Sequence, residues 1–140
     1  MIQIVKDSDT RPWFFLQTAH TTYGMWVMET EHLEHLYYGE RITVDSQDPA
    51  SCAPLVIQRG FAPGNTCTYD KEHPHISMED VCLEVGTLGK GDIREPFLEV
   101  RFTDGSVTSD FTFDSYEVLT LKEREQWLQD SGLPHSYSEA

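Results

Sequence analysis

The chain has 140 residues, 39% of them hydrophobic, and a net charge of −14. That length supplies one core and one domain, here taken as residues 1–140. The acidic balance excludes nucleic acid and anionic membranes as partners, because phosphate binding needs a basic surface.

No apolar run reaches the length of a membrane span. Residues Met1 to Asp9 carry acids and lack an apolar leader core, so the cytoplasm is the expected compartment. Cys52, Cys67 and Cys82 are odd in number and lack CxxC spacing, so they read as free thiols rather than a zinc site or disulfide framework.

Strand signals dominate the first half. Trp13-Phe14-Phe15-Leu16 follows Pro12 as a short apolar run. From Thr22 to Thr30, Tyr23, Met25 and Val27 fall on one face and Trp26 and Met28 on the other. Leu33 to Tyr38 reads as a second strand closed by Gly39, and the short link Glu29–His32 makes the pair a hairpin.

Residues 45–80 are punctuated by Pro49, Pro54, Pro63 and Pro74, which indicates a long loop region with one strand near Leu55-Val56-Ile57. Such excursions in a compact domain usually serve a function or order against a partner. Next, Phe97 to Phe102 alternates, with Leu98, Val100 and Phe102 on one face. Asp104-Gly105 supplies a hairpin turn. The returning segment sets Val107, Phe111 and Phe113 against a polar row of Thr108, Asp110, Thr112 and Asp114.

Thr120-Leu121-Lys122-Glu123 has the pattern of a capping box, and Gly132 supplies a stop. A short helix over 121–130 follows. Many short strands with one terminal helix predict a mainly β fold, an antiparallel β-sandwich.

His32 and His35 would share a face on a helix and could then ligate a metal. On a strand their odd separation sends them to opposite faces, which favours structural or interface roles and no metal. Among the 24 acidic residues some carboxylate pair always looks catalytic. The separation a glycosidase needs is not readable from sequence. Asp92 stands out, because Gly89 and Gly91 let the backbone bend and approach a neighbour while Arg94 and Glu95 add charge beside it. An Asp92–Arg94 or Glu95–Arg94 pair bracing that turn and a ligand or subunit contact are both open readings. Trp13, Trp26, Tyr37, Tyr38, Phe61 and Trp127 suit either a core or a sugar-stacking platform. Phe61, in the Arg59-Gly60-Phe61-Ala62-Pro63 stretch, is the least core-like. No cofactor motif is present.

In order along the chain, Phe15 to Thr18, Thr22-Tyr23, His32 to Gly39 and Arg59 to Pro63 form one series. It continues through Gly89 to Pro96, Asp104 to Ser106, Asp110-Phe111, Leu133-Pro134 and Tyr137. The whole series resembles the N-terminal β-sandwich of α-galactosidases of glycoside hydrolase family 36. The resemblance implies a homo-oligomeric retaining enzyme that removes terminal α-linked galactose from galactose-containing oligosaccharides such as melibiose and raffinose. Its two aspartates lie on a (β/α)₈ barrel of about 250 residues, so this chain alone is expected to be inactive and to lack catalytic residues.

The resemblance further places Gln58, Arg59 and Phe61 in a loop that reaches a neighbouring subunit's substrate entrance, with Gln58 standing where relatives carry an acid. It leaves Tyr37, Tyr38, Asp92 and Arg94 to interfaces or loop bracing. The expected role is a non-catalytic domain that supports the missing barrel, oligomerisation and the substrate entrance. A stand-alone carbohydrate-binding module and a structural interaction domain are the alternatives.

Overall fold

A computed structural model describes residues 1–6, 11–56, 68–89 and 95–132. Its centre is a four-stranded antiparallel meander in chain order: β1 (Ile2–Lys6), β2 (Pro12–Gln17), β3 (Thr21–Val27) and β4 (Leu33–Glu40). One helix follows late in the chain, α1 (Leu121–Ser131). This is the mainly β, antiparallel fold with one short helix that the sequence predicts. Strand β1 is an element that the sequence patterns above do not predict. Its Ile2 and Ile4 alternate with Gln3 and Val5 and pair with Leu16, Phe14, Phe15 and Trp13 respectively.

Tight turns set the register. Between β2 and β3 the Thr18 hydroxyl accepts from the backbone N–H groups of His20 and Thr21, a side-chain turn that substitutes for backbone bonds. The expected β3–β4 hairpin is present and closes through Glu31, which adopts a positive φ of 64°. Within this pair the register slips between Gly24 and Met25, so Tyr37 faces Gly24 while His35 faces Met25. The extra residue, Leu36, packs onto the inner face beside Trp26, as a β-bulge permits.

The inner face buries Val5, Trp13, Phe15, Val44 and Cys52, with Trp26, Leu36, Ile42, Leu55 and Val56 around them. Trp13 and Trp26 sit with ring centroids 4.8 Å apart. Phe15 is fully buried, a placement that contributes about 2–3 kcal/mol. Its ring lies 3.1 Å from where a Cβ on Gly24 would stand, so the glycine leaves space for it. The strand expected at Leu55–Ile57 is instead preceded by a 3₁₀ helix, Pro49–Leu55, capped by Asp48. Two prolines within seven residues remove ladder donors, and the tight helix lays Cys52 and Leu55 onto the sheet. Ile57 lies outside the described residues.

The outer edge of β4 is partly covered. His35 N–H donates to Cys82 O at 2.8 Å and Glu84 N–H to Leu33 O at 2.9 Å. A second cluster, Met28, Ile76 and Met78, closes the end of the β3–β4 hairpin.

The hairpin expected over Phe97–Phe102 and Val107–Phe113 is corrected to a turn without a ladder. Phe102 and Ser106 share a 2.9 Å bond across the Asp104-Gly105 turn, but the arms pair elsewhere. Phe97 and Leu98 donate to Gly86 O, Ser109 to Leu88 O and Phe113 to Glu31 O. Segment 86–89 and Glu31 thus take backbone groups that the two arms would have given each other.

From Phe113 the chain straps the sheet's outer face. Phe113 and Tyr116 pack on Phe14 at 6.0 and 5.1 Å and line an apolar groove of about 260 Å³ with Ile2, Ile4, Leu16 and Met25. Helix α1 has the anticipated capping box, with Thr120 Oγ1 bonded by Glu123 N–H and the Glu123 carboxylate returning to Thr120 N–H. Gly132 ends it in the left-handed conformation.

Candidate functional site

Three polar constellations tie the long loops to the sheet, and together they form the most chemically developed part of the described residues. The first is centred on His32, just before β4 and only 2% exposed. Its Nδ1 meets Thr30 Oγ1 at 3.1 Å and its Nε2 meets Asp110 Oδ1 at 2.7 Å. The second Asp110 oxygen accepts from the Tyr69 hydroxyl at 2.8 Å. Burial, followed by the bond to Asp110, pushes the Tyr69 phenol up to about 12, so it stays a donor at neutral pH. One carboxylate thereby clasps the β3–β4 turn, the start of segment 68–89 and the strap.

The second constellation is centred on Glu84, beside β3 and β4. Tyr23 places its hydroxyl 2.6 Å from both Glu84 carboxylate oxygens. His35 Nδ1 reaches Glu84 Oε1 at 3.1 Å. Desolvation, then the carboxylate, raises the Tyr23 phenol to about 12. The rings of Tyr23 and His35 are 5.0 Å apart, and Tyr38 stands 6.1 Å from Tyr23. His32 and His35 therefore serve two separate networks. Among the described residues no group of three His, Cys, Asp or Glu side chains is placed to hold a metal.

The third is the bend at Gly89, which has φ of 99°. Its backbone pairs in parallel with Ser109, and a Cβ there would lie 2.8 Å from Thr108 Cγ2. The close approach expected of this glycine is present, with the 107–109 segment as the neighbour. A buried carboxylate completes the picture: Glu34 is fully buried and accepts the Trp26 indole N–H at 2.7 Å.

The anticipated site residues divide unevenly. Tyr37 turns back over Gly39, and its hydroxyl donates to Glu40 O at 2.9 Å. This is a local brace at the end of β4. Tyr38 projects outward and is 70% exposed. Gln58, Arg59, Phe61, Asp92 and Arg94 lie outside the described residues. Sequence reasoning missed Tyr23, Tyr69 and Glu84 as polar anchors. Asp110 stands in the polar row after the Asp104-Gly105 turn and in the series that carries the resemblance, and neither marks it as an anchor.

Cys52 is a buried free thiol, which burial pushes up, and Cys82 is an exposed free thiol. Cys67 lies outside the described residues. No helix among the described residues is long and apolar enough to cross a membrane.

Residues 31–140 match the family model for the glycosyl hydrolase family 36 N-terminal domain. The chain is 37% identical over 115 residues to the bifunctional α-galactosidase/sucrose kinase AgaSK of Mediterraneibacter gnavus, across 82% of this chain and 12% of that protein. Among solved structures it superimposes on the α-galactosidase of Lactobacillus brevis with a TM-score of 0.64 and 28% identity, over 81% of this chain and 14% of that one. The galactosidase domain of AgaSK gives 0.63 and 30%, over 81% and 15%. The chain thus spans a small fraction of each relative's length. A family match over most of the chain and a shared sheet architecture lead to one conclusion: the chain belongs to the N-terminal domain family of glycosyl hydrolase family 36.

Proposed function

We propose that this chain is the non-catalytic N-terminal domain of an α-galactosidase, supporting a catalytic barrel, oligomer contacts and the substrate entrance. One observation carries this reading. In a domain of net charge −14, the residues after 96 hold large apolar side chains in water. Phe97 is 77% exposed and Leu121 73%, and Phe102, Phe111, Val118 and Trp127 are each about half exposed. Apolar surface on that scale marks a face meant to be covered by protein. The three polar constellations support the same role, because they fix long loops at chosen places on a rigid sheet.

In this reading Arg59 and Phe61, with Gln58 in the acid's place, contact galactose-containing oligosaccharides at the entrance, while Asp92 and Arg94 brace their own turn. The parent enzyme is a homo-oligomer. The free thiols Cys52 and Cys82 support a reducing, cytoplasmic setting.

The test is reconstitution. The galactosidase domain of AgaSK is expressed without its own equivalent of residues 1–140, then mixed with this chain, and hydrolysis of an α-galactoside is followed. The chain alone is inactive, and adding it restores turnover to the truncated enzyme. No association and no recovery, from partners that are each folded, would refute the scaffold role.

A further inference from the structure

The outer face of the sheet carries a half-open cluster that the inner core does not use and that the scaffold role does not require. Pairing sets Leu16 opposite Tyr23 and Tyr23 opposite Tyr38, which places both tyrosines on this face. Tyr38 presents its ring to solvent and hydrogen-bonds no described residue. Tyr23 lies between, its ring 6.1 Å from that of Tyr38 and 5.0 Å from that of His35, and the side chains of His35 and Glu84 remain 28% and 18% exposed.

The hydrogen-bonding capacity of this cluster is not used up. The Tyr23 hydroxyl lies 2.6 Å from both oxygens of Glu84, yet its one proton serves one oxygen at a time. A carboxylate offers about four acceptor positions, so Glu84 keeps lone pairs for an incoming hydroxyl. His35 engages Glu84 through Nδ1, which leaves Nε2 for a ligand. Tyr23 and His35 therefore act as braces that hold the carboxylate in one orientation, and the Tyr23 ring, 6.1 Å from that of Tyr38, connects it to the exposed aromatic.

An aromatic face next to an oriented carboxylate and an imidazole suits a neutral ligand with an apolar C–H face and a rim of hydroxyl groups. Anions are turned away by the net charge of −14. A metal ion finds no set of three ligating side chains among the described residues. A protein partner would have to cover the Glu84–His35 pair, against the depletion of charge at interface centres. We propose that Tyr38, His35 and Glu84, braced by Tyr23, form a surface subsite for a neutral pyranose-containing saccharide.

The experiment is calorimetric titration of the full chain with raffinose and melibiose, with sorbitol as an acyclic polyol control. Saturable binding with Kd on the order of 1 mM is expected for the saccharides, with none for sorbitol. Tyr38→Ala should weaken binding at least about tenfold while leaving the circular dichroism spectrum unchanged, since the ring is exposed. Glu84→Gln should weaken it as well. No saturable heat from the native chain overturns the proposal, and so does equal binding by the Tyr38→Ala chain. Self-association that Tyr38→Ala abolishes, without saccharide heat, would make the face a protein contact and also overturn it. The readout is ligand heat rather than restored hydrolysis, so failure here leaves the scaffold reading standing.

Discussion

Replacing Gly89 by alanine tests whether the bend before residues 90–94 is built on backbone geometry. Gly89 holds φ at 99°, where an L side chain costs about 1–2 kcal/mol. The new Cβ would also meet Thr108 Cγ2 at 2.8 Å and Oγ1 at 3.0 Å. Thr108 cannot withdraw with its backbone. Its neighbour Ser109 is held by the 3.1 Å bond from its N–H to Leu88 O and by Thr87 Oγ1 donating to Ser109 O at 2.7 Å. Relief must come from a strained Thr108 rotamer, at about 0.5–1.5 kcal/mol.

Together these give a loss of about 1.5–3.5 kcal/mol for Gly89→Ala. Urea unfolding followed by tryptophan fluorescence reads it well, because Trp13 and Trp26 stack in the inner core. Adding Thr108→Ser removes Cγ2 and should recover about 1 kcal/mol, leaving the backbone part untouched. A Gly89→Ala chain within ~0.5 kcal/mol of the parent would refute the reasoning. Full rescue by Thr108→Ser would refute the backbone part of it.

Asp110→Ala removes the carboxylate bonded by the buried His32 Nε2 and by the Tyr69 hydroxyl, a loss of about 2–4 kcal/mol. Asp110→Asn should retain part of it, and equal urea midpoints for the two variants would contradict the clasp. At alkaline pH, Tyr23 and Tyr69 rise from the ordinary 10.0 to about 12 in the folded chain. Below pH 10 both states keep these protons. Above it the unfolded chain ionises first, so stability falls as pH rises through about 12. Titration of phenolate absorbance alongside circular dichroism should show two late tyrosines, and an alkaline transition unmoved by Tyr23→Phe with Tyr69→Phe would count against this. Thr120→Ala removes the capping box at a cost of about 1 kcal/mol. It should speed amide exchange within α1 and barely shift the global midpoint, because Leu128 is the helix's buried residue.

How much of this was legible in the sequence depended on which force decided each element. Local chemistry was readable. Glu29–His32 closed its hairpin, and Thr120, Glu123 and Gly132 bounded α1 as written. The inner and outer faces of β3 also came out correctly, because alternation in a half-buried strand reports burial directly. Partner choice was not readable. Leu98, Val100 and Phe102 show which face of their segment is apolar, but nothing in that pattern says what lies alongside. Segment 86–89 took the bonds that the hairpin reading gave to Val107–Phe113. The candidate site failed for the same reason. Tyr23, Glu84 and His35 come together across 61 residues of sequence separation, which no local spacing encodes.

The mismatch in the second half nevertheless carries information. In the first half, apolar segments are buried, and Trp13, Phe14 and Phe15 of the run in β2 are all covered. After Phe97 the alternation persists while the burial does not, and Leu98 and Phe102 remain 39% and 46% exposed. A sequence patterned for burial and found uncovered is what a docking face looks like in isolation. That contrast, more than any single residue, ties the pattern in the chain to the proposed role beside a larger catalytic body.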